Sequence, residues 1–147
     1  HREVPGAWVI GGFTQLDASR STCFGRFVDR LEEGFHSARL TEELAPGIRG
    51  YSITARNLSL PRAEFLEAGG FDPRFRTTCE DQDLYHRVEG RGVRVVYNER
   101  IEALHNEQAT TLERYGRFQR RGMRDTVRFI ARYQHIHGGA PVARRSC

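Results

Sequence analysis

Apolar and polar positions change period several times along the chain, and each change marks an element. Ala7–Phe13 ("AWVIGGF") is a near-continuous apolar run and reads as a buried strand. Over Cys23–Arg39 the residues Phe24, Phe27, Val28, Leu31 and Phe35 recur at threes and fours, the spacing of an amphipathic helix. Ala45–Gly50 ("APGIRG") reads as a loop, and Tyr51–Ala55 ("YSITA") alternates as a strand does. Pro61 opens a short helix over Pro61–Ala68, where a first-turn proline forfeits no hydrogen bond, and Gly69-Gly70 closes it. A turn, "FDPRF", leads into a helix that starts near Thr78 and stops at Gly90-Arg91-Gly92. Val93–Asn98 and Ile101–His105 read as two strands. The last element is a helix from Ala109 to about His135. Leu112, Tyr115, Gln119, Met123, Val127 and Ile130 trace one side of it. Arg114, Arg117, Arg121, Arg124, Arg128 and Arg132 trace the other, which reads first as a solvated face. Gly122 is the expected weak point in this helix, and the tail from Gly138 is expected to be loose.

Strands and helices mix through the chain, so the fold class is α/β. About four strands are visible, and the first comes almost at once. The pattern reads as the second part of a larger mixed sheet flanked by helices. Residues 1–107 would form that part, 108–137 a basic amphipathic helical segment, and 138–147 a tail. The 147 residues suffice for one core, and 38% hydrophobic with 29% charged residues fits a globular chain rather than a disordered one. No apolar run approaches the ~20 residues a membrane helix needs. The N-terminus carries no leader pattern, and its first residue, His1, fits a processed product or a fragment.

Cysteine usage and charge narrow the picture further. Cys23, Cys79 and Cys147 are odd in number and form no CxxC, which argues against a disulfide scaffold or thiolate zinc and for a reducing, cytoplasmic setting. All 23 basic residues are arginine. The stretch Glu113–Arg132 carries a net +5, leaving −1 for the rest of a chain of net +4. An anion-binding surface is therefore expected there. Aromatic residues do not interleave with these arginines, so nucleic acid is not an expected partner.

The densest chemistry lies in "TTCEDQDLYHRV", where Glu80, Asp81 and Asp83 fall within four residues. A capping box with Thr78 as N-cap would use one acid, and the helix dipole would favour the others by roughly 0.3–1 kcal/mol each. Mutual repulsion among three carboxylates is not explained by capping. Asp81-Gln82-Asp83 could instead be an Asp-x-Asp metal pair, but residues two apart on a helix point roughly 200° from one another. The third reading is acid/base chemistry: one carboxylate takes a proton from a hydroxyl, and neighbouring acids raise its basicity. Cys79, beside these acids, would have its thiolate disfavoured.

The run from Arg56 through His105 resembles the second half of a family 2 glycosyltransferase. The parts are Asn57 and Ser59, Arg62, Gly69-Gly70-Phe71-Asp72, Glu80-Asp81-Gln82-Asp83-Leu84, Val93–Tyr97 and His105, in the family's order over about a third of the chain. The resemblance implies a GT-A fold and an inverting transfer of sugar from a nucleoside-diphosphate donor to a hydroxyl of a saccharide or lipid-linked acceptor, as in polysaccharide biosynthesis. It implies Asp81 as general base, with Glu80, Asp83, Asn57 and Ser59 on the acceptor side. It implies His105 as a ligand of a divalent metal, Mn or Mg. That metal is expected only with a second Asp-x-Asp, which this sequence lacks. Arg117, Arg120 and Arg121 are placed to hold diphosphate oxygens, since guanidinium matches them in geometry and charge. The basic helix also suits peripheral contact with an anionic membrane at its inner face. The alternative is a non-catalytic fragment or interaction module of the same fold.

Overall fold

Parallel pairing of β1 (Ala7–Leu16) with β5 (Arg94–His105) forms the spine of the computed structural model, which describes residues 7–16, 22–38, 43–45, 48–50, 55–105 and 111–133. Three short strands complete a mixed sheet: β2 (Glu43–Ala45), β3 (Ile48–Gly50) and β4 (Leu58–Ser59), in the order β2-β3-β5-β1-β4. β4 lies antiparallel on β1, and β3 antiparallel on β5. The stretch expected as a loop, Ala45–Gly50, thus contributes ends to two strands. Of the strand expected over Tyr51–Ala55, residues 51–54 lie outside the described residues, and Ala55 begins a 3-10 turn through Asn57.

The two strands expected after residue 92 are one. β5 runs through both, with an irregularity where Gly12 faces Asn98 but Phe13 faces Glu102. β1 pairs with β5 on both sides of the polar Asn98–Arg100, and the unpaired residues between Asn98 and Glu102 are absorbed as a bulge rather than a break. Val93, Val95, Val96 and Tyr97 are all buried, as expected next to strands on either side.

Four α-helices flank the strands among the described residues: α1 (Cys23–Ala38), α2 (Arg62–Glu67), α3 (Glu80–Glu89) and α4 (Leu112–Tyr133). The Thr22 hydroxyl accepts the Gly25 N–H at 2.9 Å and so caps α1. Pro61 precedes the first residue of α2, and Gly69 and Gly70 end it with φ of +83° and +65°, values that favour glycine. Leu84 and Val88 of α3 pack on Val93 and Val95, with Leu58, Leu60, Phe65 and Tyr85 around them. Each such fully buried side chain is worth about 1.5–3 kcal/mol.

α4 departs most from expectation. It is unbroken at Gly122, which is buried because the helix crosses Thr78 there; a Cβ on Gly122 would lie 2.8 Å from the Thr78 methyl. Its buried residues are Gly122, Asp125 and Tyr133, not the apolar stripe. Leu112, Met123, Val127 and Ile130 are 70%, 60%, 59% and 49% exposed. Nor is the arginine side wholly solvated, since Arg128 and Arg132 turn inward to carboxylates. Polar partners on α3 and the loop before it, rather than apolar area, decide which face packs. No helix among the described residues is long and apolar enough to cross a membrane.

Candidate functional site

The start of α3 is fixed from behind by α4. The Asp125 carboxylate accepts the backbone N–H groups of Arg76, Thr77 and Thr78 at 3.0, 2.8 and 3.4 Å. These bonds hold Asp125 below its ordinary value despite burial. Arg128 adds an ion pair at 3.3 Å and donates to the Arg74 carbonyl. With the loop held there, Cys79 takes a left-handed conformation, φ +68° and ψ +4°, and α3 begins at the next residue. Such a conformation costs a non-glycine residue roughly 1–2 kcal/mol and persists because its neighbours are fixed. The expected capping box is not formed. Cys79, not Thr78, occupies the N-cap position, with no side-chain cap bond, because the Thr78 hydroxyl is turned to the Cys79 sulfur, 3.7 Å away.

From this start the three acids part company. Asp83 points into the interior with 0% exposure. Arg87, one turn on, donates to it at 2.8 Å, Arg132 lies 2.9 Å away, and the Tyr133 hydroxyl donates at 2.7 Å. Burial, then the bond to Asp83, pushes Tyr133 up to about 12. Arg87 also donates to the Ala68 carbonyl and, at 2.7 Å, to that of Gly70, tying the end of α2 to the same carboxylate. Arg132 reaches Asp72 at 2.9 Å, where Arg74 forms a second pair and holds the acid far below the usual carboxylate range. Asp83 is thus a structural hub joining α2, α3, α4 and the 72–74 turn. Its expected place is the acceptor side; in this structure both its oxygens are engaged by Arg87, Arg132 and Tyr133 away from solvent.

Asp81 turns the other way. One carboxylate oxygen accepts the Ala55 N–H at 3.1 Å and the other the Gln82 N–H at 2.8 Å. The first bond, across 26 residues, sets Asp81 beside the 3-10 turn and β4. There Asn57 donates to the Ile101 carbonyl at 3.3 Å and Ser59 is exposed in register with Ile10. Glu80 is half-buried, and burial pushes its carboxyl up, with Asp81 and Asp125 adding to the effect. Neither Glu80 nor Asp81 forms an ion pair among the described residues. Burial, reinforced by the two acids, also pushes the Cys79 thiol up, which disfavours its thiolate.

Of the expected site residues, Glu80 and Asp81 share the head of α3, and the Ala55–Asp81 bond ties that head to the 3-10 turn that ends at Asn57, two residues before Ser59. The divergence of Asp81 and Asp83 rules out a metal held between them. No group of three or more His, Cys, Asp or Glu that could hold a metal occurs among the described residues. His105 ends β5 opposite Leu16, and its side chain lies outside the described residues. Arg117, Arg120 and Arg121 are exposed on α4; Arg117 is paired with Glu113 at 2.5 Å.

Sequence reasoning gave no role in the fold to Asp72, Arg87, Asp125 or Tyr133 and read Arg132 as part of a solvated face. Two signals for them were present. Asp83 and Arg87 stand four apart on a helix, a pairing distance. Asp125 is the lone acid among the arginines that follow Glu113, which marks a position held for a specific partner. Comparison with protein-family models, with curated proteins and with solved structures returned no match.

Proposed function

We propose that the chain is the acceptor and catalytic-base half of an inverting glycosyltransferase with a GT-A type of sheet. In this reading a hydroxyl of a saccharide or lipid-linked acceptor gives its proton to Asp81. The oxygen attacks the anomeric carbon of a nucleotide-sugar, and the nucleoside diphosphate leaves from the opposite face with its bonding electron pair. Glu80, Asn57 and Ser59 hydrogen-bond the acceptor, and Arg117, Arg120 and Arg121 steady the anionic leaving group. A divalent metal would supply further charge neutralisation at the diphosphate. The described residues do not form its site, and no step here depends on it. A cytoplasmic setting follows from where such donors are made.

One observation carries the reading. Of three clustered acids, Asp83 is consumed by the interior, while Asp81 is fixed by the Ala55 and Gln82 N–H groups with no ion-pair partner among the described residues. The motif order from Asn57 to His105 supports it independently. The test is a transfer assay on the natural full-length protein with a panel of labelled nucleotide-sugars. Turnover is expected with at least one donor, and Asp81→Asn should lose it by roughly 10²–10⁴-fold, the usual share of a general base, with donor affinity unchanged. Near-normal turnover in Asp81→Asn removes that residue from the mechanism. Absence of transfer with every donor leaves the non-catalytic module.

A further inference from the structure

α4 sorts its charges by direction. Arg128 and Arg132 neutralise Asp125, Asp72 and Asp83 on the packed side. The outward side keeps Arg114, Arg117, Arg120, Arg121 and Arg124 against a single acid, Glu113. Arg120, Arg121 and Arg124 form no ion pair among the described residues. Beside Arg120 and Arg124, but on the opposite side from Arg114 and Arg121, runs the exposed stripe of Leu112, Met123, Val127 and Ile130. At 100° per residue these four fall within a 60° arc, and Arg120 and Arg124 border it on the side away from the packed face. From Leu112 to Ile130 the stripe is roughly 27 Å long on an unbroken helix.

We infer that this face of α4 is an interfacial surface that lies on an anionic lipid bilayer, its apolar stripe entering the headgroup boundary and its arginines meeting lipid phosphates. Charge selects this occupant. The exposed half offers cations and apolar side chains and turns its second acid, Asp125, inward, which complements a negative surface of low polarity beneath. Form agrees: a straight ridge fits a plane better than it fits a pocketed partner. A helix too polar to span can still lie flat in this way. The inference does not rest on the glycosyl-transfer reading; it assigns Arg120 to lipid where that reading assigns it to the diphosphate, so the two compete for this one residue while the stripe and Arg124 belong to the lipid face alone.

The test is sedimentation of the 147-residue chain with vesicles of phosphatidylcholine alone and of equal parts phosphatidylcholine and phosphatidylglycerol. Tight partition is expected only on the anionic vesicles, weakening steeply with added salt. Met123→Glu with Val127→Glu should reduce partition at least tenfold. Arg120→Gln with Arg124→Gln should reduce it about 25-fold, roughly fivefold per arginine near the surface. All four positions are exposed, so urea midpoints should match wild type; the arginine pair gives a second, independent measurement should the glutamate pair unfold. Failure of the wild-type chain to sediment with anionic vesicles overturns the inference. So does wild-type partition by the glutamate pair, which would leave only charge adsorption. Concentration-dependent self-association abolished by Val127→Glu also overturns it, assigning the stripe to a second copy.

Discussion

Two regions only a helical turn apart treat their carboxylates in opposite ways. At the junction of α4 with the 72–79 loop, Asp72, Asp83 and Asp125 are each met by arginine, and Asp83 and Asp125 are buried. At the head of α3, Glu80 and Asp81 meet no arginine among the described residues, and only backbone N–H groups hold Asp81. The first region stores stability in matched charge. The second leaves two half-buried carboxylates without an arginine among the described residues. The difference teaches that neighbours in sequence can be sorted into opposite electrostatic surroundings by the partners the fold brings to each.

That contrast can be broken at its strongest point first. Asp83→Ala leaves Arg87 and Arg132 without their buried partner and leaves the Tyr133 hydroxyl only its long 3.4 Å bond to the backbone carbonyl of residue 83. A loss of about 3 kcal/mol is expected, the low end for such a cut because both arginines keep some contact with water. Urea unfolding measures it, and a loss below about 1 kcal/mol would mean that Asp83 is not the hub. Gly122→Ala comes next. Alanine favours a helix by about 1 kcal/mol over glycine, yet here its Cβ would strike the stiff Thr78 side chain. A net cost of about 1 kcal/mol is expected, relieved by adding Thr78→Ser, which deletes the struck methyl. A stabilised single variant would show that α4 has room to move off the loop.

Acid separates the two regions by sign. Asp72 and Asp125 sit below their ordinary 3.8, so their contribution is present above that value and is lost as the pH falls through their folded values. Glu80 sits above its ordinary 4.5, so the folded state holds that proton more tightly than the unfolded chain. Its contribution is complete below 4.5 and fades as the pH rises through the folded value. Glu80→Gln should therefore gain on wild type in urea midpoint between acid and neutral pH, while Asp125→Asn should lose ground over the same range. Parallel curves for wild type and Glu80→Gln would deny Glu80 its raised value. The smallest effect belongs to Asp81→Asn, whose folding free energy should stay within about 1 kcal/mol of wild type, since an amide oxygen can still accept the Ala55 N–H.

Local pattern was enough to place β1, α1, α2 and α3, because each carries an apolar run, an apolar period or a start or stop signal of its own. Thr22, Pro61 and Gly69-Gly70 do their work within a few residues, where sequence distance and spatial distance coincide. The acidic cluster was visible for the same reason. What sequence could not show was which acid faces where. Which of Asp81 and Asp83, half a helical turn apart, faces inward is settled by Asp125, Arg132 and Tyr133, more than forty residues later. The buried face of α4 escaped notice on similar grounds. Hydrophobic pattern pointed to Met123, Val127 and Ile130, whereas Gly122, Asp125 and Tyr133 pack. A glycine that permits close approach and a carboxylate that caps three distant N–H groups are worth nothing locally. They acquire value only once the loop they serve has been brought against the helix, and that is a property of the folded chain.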